Sequence, residues 1–86
     1  MTMPATAIEL QKLLKERNLY PWHAAADGTD PYDGYGLKRE GDKWVVYLHA
    51  PMTAPDERYF ANEEEAIVHL VERLRHDGFA DYLKDL

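Results

Sequence analysis

The sequence predicts an α+β fold: a small antiparallel sheet of about three strands, built on a central β-hairpin and packed on an N-terminal and a C-terminal helix. Three observations predict it. Apolar residues recur at helical spacing behind capping signals near both ends of the chain. The middle alternates apolar and polar residues around a Gly-Asp pair. No stretch approaches the roughly 18 apolar residues of a membrane span, so the chain reads as a single water-borne domain of the cytoplasm.

The first helix is predicted over 6–17. Thr6-Ala7-Ile8-Glu9 has the form of a capping box, and Ala7, Leu10, Leu13 and Leu14 form the apolar stripe. Asn18 suits a left-handed stop, and Pro21 prevents continuation. Residues 22–34 show no period. Asp27-Gly28, Asp30-Pro31 and Asp33-Gly34 are turn dipeptides, so this segment reads as a loop, with a strand inside it left open. Loops this long in small domains are more often functional.

The hairpin is predicted over 35–49. Gly41-Asp42 suits a two-residue turn, which sets Glu40 opposite Lys43 and Tyr35 opposite Leu48. Tyr35, Leu37, Trp44, Val46 and Leu48 then share the core face, which agrees with the alternation. A short strand over 57–61 follows, with Phe60 inward and Tyr59 outward. Asn62-Glu63-Glu64-Glu65 caps a helix over 63–76, whose stripe is Ala66, Ile67, Leu70, Val71 and Leu74. Asp77-Gly78 ends it, and residues 79–86 form a last short helix.

Composition narrows the chemistry. The 86 residues carry 10 Lys/Arg against 16 Asp/Glu, a net charge of -6, which argues against direct nucleic-acid binding. There is no cysteine and no serine, so disulfides, thiolate metal sites and Ser or Cys nucleophiles are excluded. The acid is concentrated in the 22–34 loop and in the C-terminal segment, where Glu63-Glu64-Glu65 has a plain role at a helix N-terminus.

Asp27, Asp30 and Asp33 recur every third residue, which does not match the calcium loop of an EF-hand. They are either a solvated turn or an acidic edge for a basic partner, with Tyr32 as a contact residue. The histidines show no metal-ligand spacing: His69 and His76 are seven apart, and no His-x-x-x-His occurs. Tyr47, Tyr59 and His49 fall on the outward face of the sheet. That face is either covered by the 22–34 segment, with Trp22 as a candidate cover, or open as an aromatic patch for a protein. No metal or cofactor is called for. An enzyme would have to work through Asp, Glu, His, Tyr or a metal, and a deep pocket joining His23 or His49 to an acid would favour it.

Tyr35-x-Leu37, Trp44-x-Val46-Tyr47 and Phe60-x-Asn62-Glu63-x-x-Ala66 together resemble a pattern in small immunity proteins of bacterial polymorphic toxin systems. The resemblance spans about residues 35–74, with Leu48 where a second Tyr is usual and Asn62 in place of a Ser cap. It implies a non-enzymatic inhibitor, made by the toxin-producing cell, that binds the cognate toxin domain. That domain would be a protein, basic if it acts on nucleic acid. Asp27, Asp30, Tyr32, Asp33, Tyr47, His49 and Tyr59 are then the expected contact residues. The alternatives are a phage-type anti-defence inhibitor acting as an acidic decoy and a general protein-interaction adaptor. The chain is expected to be a monomer or a weak dimer formed through sheet edges.

Overall fold

A computed structural model describes residues 3–54 and 56–86. The elements run α1 (Ala7–Glu16), β1 (Ala24–Ala25), β2 (Gly34–Glu40), β3 (Lys43–His49), β4 (Asp56–Phe60) and α2 (Glu63–Leu74). The fold is α+β, with one four-stranded sheet in the order β1-β2-β3-β4.

The β2–β3 hairpin runs from Glu40↔Lys43 to Gly34↔His49, the register set by the two-residue turn at Gly41-Asp42, where Gly41 has a φ of 65°. β4 pairs antiparallel with β3, placing Tyr59 opposite Val45 and Phe60 opposite Trp44. This strand starts one residue earlier than the predicted 57–61, and Ala61 lies outside it.

The sheet departs from a three-stranded antiparallel one. Ala24 and Ala25 pair parallel with Tyr35 and Gly36, so a strand lies inside the predicted loop and the sheet is mixed. The pairing continues beyond the strand: the N–H groups of Tyr32, Asp33 and Tyr35 donate to the carbonyls of Pro21, Trp22 and His23. Gly34 permits this. A Cβ on it would lie 1.8 Å from the His23 carbonyl oxygen, so only glycine lets the two backbones approach so closely.

Both helices are capped as their sequences dictate. Thr6 Oγ1 accepts from the Glu9 N–H at 3.2 Å, and Asn62 Oδ1 from the Glu65 N–H at 2.9 Å. Glu63 does more than favour its own helix dipole: its carboxylate accepts the Ala7 N–H at 2.7 Å, fastening the start of α1 to the start of α2. Asn18 takes a φ of 61° just beyond α1.

α2 ends at Leu74 rather than continuing to residue 76. A single π-helical turn, Arg75–Phe79, follows, with Gly78 at a φ of 105°. The last helix expected over 79–86 is reduced to one 3₁₀ turn at Ala80–Tyr82. Side-chain clasps hold the C-terminus in its place. The Arg17 guanidinium donates to both Asp85 carboxylate oxygens at 2.8 Å and to the Tyr82 carbonyl at 2.7 Å, while Arg75 donates to the carbonyls of Leu83 and Leu86.

The core lies between one sheet face and the two helices. Leu10, Leu14, Leu19, Leu37, Ile67 and Leu70 are fully buried there, and Leu83 returns from the C-terminus to join them. Each such side chain contributes about 1.5–3 kcal/mol through burial. Among the described residues no helix is long and apolar enough to cross a membrane.

Candidate functional site

The other face of the sheet is where the predicted contact residues collect. β2 and β3 meet there at Gly36 and Tyr47, which are register partners. A Cβ on Gly36 would lie 2.3 Å from Tyr47 Cζ, so the tyrosine ring rests directly on the glycine backbone. Lys38 Nζ lies 4.9 Å from the same ring's centroid.

Tyr47 is only 6% exposed, so it is not an open anchor. The loop crosses over it, and the covering residues are around Thr29–Pro31 rather than Trp22. The Tyr47 hydroxyl donates to the Thr29 carbonyl at 3.0 Å. Its pKa is pushed well above the ordinary phenol value by burial first, then by the Asp30 carboxylate beside it and the negative charge of Asp27. His49, two residues along the same face, has Nδ1 2.7 Å from the Pro31 carbonyl oxygen and Nε2 3.8 Å from Asp30 Oδ2. Pro31 itself is fully buried.

A third tether comes from α1. Gln11 Oε1 accepts the Ala26 N–H at 2.7 Å, and Nε2 reaches Asp27 Oδ2 at 3.5 Å. Gln11 is a buried polar side chain, and this role explains its position. Asp27 accepts in turn from the backbone N–H and hydroxyl of Thr29. Burial raises the pKa of Asp27, but these hydrogen bonds outweigh it and leave the carboxyl below its ordinary value. Asp27 therefore shapes the loop from within.

The part of the loop that faces outward is aromatic. Trp22 and Tyr32 stack with ring centroids 5.1 Å apart and are 57% and 63% exposed. Their backbones are fixed by the parallel pairing that continues from β1. Asp30 and Asp33, both exposed, flank Tyr32 in sequence. The structure thus brings Asp30, Tyr47 and His49 into contact and pairs Tyr32 with Trp22. Trp22 is the residue that sequence reasoning read as a cover rather than a contact. Its one available signal was a position beside Pro21 at the entry to a long loop.

Tyr59 stands apart. It is 52% exposed on β4, and the charges of Glu40 and Glu57 raise its pKa. β4 is the open edge of the sheet, and its first four residues are exposed.

A cleft of about 380 Å³ lies at the other side of the loop's base. Its lining includes His23, Asp33, Leu48, Leu74, Asp77 and Phe79. The His23 ring packs 4.5 Å from that of Phe79, and its Nδ1 lies 3.3 Å from the Asp33 carbonyl oxygen. The buried Tyr35 borders the same space. Its hydroxyl accepts from Arg73 Nη2 at 2.8 Å and Nε at 3.3 Å. Burial pushes the Tyr35 phenol up, with Asp77 acting the same way and Arg73 against it. Among the described residues no group of three or more His, Asp or Glu is placed to hold a metal ion.

A scan against protein-family models finds no match, and searches of curated proteins and of solved structures return none.

Proposed function

We propose that this chain is a non-enzymatic binding protein of the immunity type, which neutralises a basic toxin domain in the cytoplasm of the cell that makes both. The 22–34 loop is its contact surface. One observation carries the reading: the exposed Trp22–Tyr32 stack sits on a backbone fixed by hydrogen bonds, above a sheet face that holds the loop by Tyr47 and His49. Aromatic rings held in place before binding lose little entropy on association, and such rings dominate the energetics of interfaces. Asp30 and Asp33 beside them favour a basic partner and speed its approach. Tyr47 and His49 act as supports of this surface, and Tyr59 marks a second, separate patch. The resemblance of the hairpin and α2 to immunity proteins selects a toxin domain from among basic partners.

Co-expression with the protein encoded beside it tests the proposal. A lethal neighbour is expected to be tolerated when this chain is present and to kill when the chain carries Trp22→Ala and Tyr32→Ala. Survival with the double variant, or no protection by the unaltered chain, overturns it.

A further inference from the structure

We propose that the cleft between the base of the 22–34 loop and the C-terminal end of α2 receives an arginine side chain of the protein partner. This rests on the binding role proposed above and names the group that the partner supplies.

The cleft has two kinds of wall. Leu48 and Leu74 are apolar, and the packed rings of His23 and Phe79 offer an aromatic side. Asp33 and Asp77 line the same space, where the Asp77 carboxylate accepts from the Tyr35 hydroxyl. Within the described residues neither aspartate has a Lys or Arg nitrogen within ion-pair distance; the ion pairs present are Arg17–Asp85 and His49–Asp30. Arg73 directs both Nε and Nη2 to the Tyr35 hydroxyl and acts on Asp77 through its charge, without an ion pair. An aliphatic stem ending in a planar cation matches this combination. The stem lies against leucines, while the guanidinium stacks on rings and donates to carboxylates in pairs. A lysine ammonium is more strongly hydrated and cannot stack in the same way.

The cleft joins the aromatic surface through the chain. His23 and Asp33 are the sequence neighbours of Trp22 and Tyr32, and the Asp33 N–H donates to the Trp22 carbonyl at 2.8 Å. The cleft and the stacked rings are thus built on the same two backbone segments.

The test uses N-acetyl-arginine amide as the probe, followed by NMR on the intact chain. Saturable shifts are expected at His23, Gly34, Asp77 and Phe79. The Asp33→Asn/Asp77→Asn double variant is expected to weaken the probe about tenfold, and Asp81→Asn, an exposed control, to leave it unchanged. N-acetyl-lysine amide is expected to bind more weakly and N-acetyl-norleucine amide not to saturate. No saturation by the arginine probe, equal binding of all three probes, or an unaltered Kd in the double variant overturns the assignment. The two proposals fail separately. Probe binding in a chain that protects no cell removes the immunity role alone. Full protection by the Asp33→Asn/Asp77→Asn variant, with no probe in the cleft, removes the arginine site alone.

Discussion

On one face of the sheet, Tyr35, Leu37, Val46 and Leu48 meet two helices; on the other, Gly36, Tyr47 and His49 meet a loop. The helix-covered face is held by apolar burial spread over many leucines, and no single polar contact decides it. The loop-covered face is held at a few points. Tyr47, His49 and Gln11 each bond to one backbone group of the loop, at Thr29, Pro31 and Ala26. The first arrangement sets stability. The second fixes the shape of an exposed surface, as the proposed binding role requires.

Disrupting either face separately breaks or sharpens this contrast. The largest effect is expected from Leu37→Ala, which removes a fully buried side chain from the helix-covered face. A loss of about 2–5 kcal/mol in urea unfolding is expected, with all amides affected together. Gly34→Ala comes next. Its Cβ meets the His23 carbonyl, so β1 must move away from β2, at about 1–3 kcal/mol, and the Trp22–Tyr32 stack loses its base. Near-ultraviolet circular dichroism reads the stack directly.

Tyr47→Phe is smaller, about 0.5–1.5 kcal/mol, because it deletes one hydrogen bond and keeps the ring. Hydrogen exchange is expected to quicken in the loop while the amides of α2 keep their protection. Uniform acceleration across both regions would show that the two faces are one cooperative unit.

The smallest effect concerns the C-terminal clasp and depends on pH. Hydrogen bonding to Arg17 holds the Asp85 carboxyl at about 2, below the unfolded value of about 3.9. A depressed carboxylate pKa stabilises the fold above the unfolded value, and the contribution is lost as pH falls through the folded one. Amide signals of Tyr82–Leu86 are therefore expected to shift between about pH 4 and pH 2. Arg17→Gln is expected to move that transition upward.

What was legible in the sequence is what local rules determine. The Gly41-Asp42 turn and the alternation of Trp44, Val46 and Leu48 dictate the hairpin register, and Thr6 and Asn62 mark both helix starts. β1 was not legible, because Ala24 and Ala25 carry no strand pattern and their pairing depends on Gly34, ten residues away in the chain. The same holds for the site. The acidic loop and the outward position of Tyr47 follow from spacing, but their meeting depends on the path of the loop over the Tyr47 ring. Trp22 reads as a cover on composition alone, since a large apolar ring is usually buried; only the stack with Tyr32 shows it held outside. The C-terminal segment has helical spacing, yet Arg17 and Arg75 supply the carbonyl partners that a helix would otherwise provide.

The most direct measurement is the affinity of the protein encoded beside this chain, the proposed partner, for two variants measured side by side, Trp22→Ala/Tyr32→Ala and Tyr59→Ala. If the 22–34 loop is the contact surface, the first weakens binding by about thirtyfold or more and the second leaves it unchanged. The reverse pattern, with Tyr59 decisive and the stacked pair silent, would place the interface on the β4 edge and contradict the account.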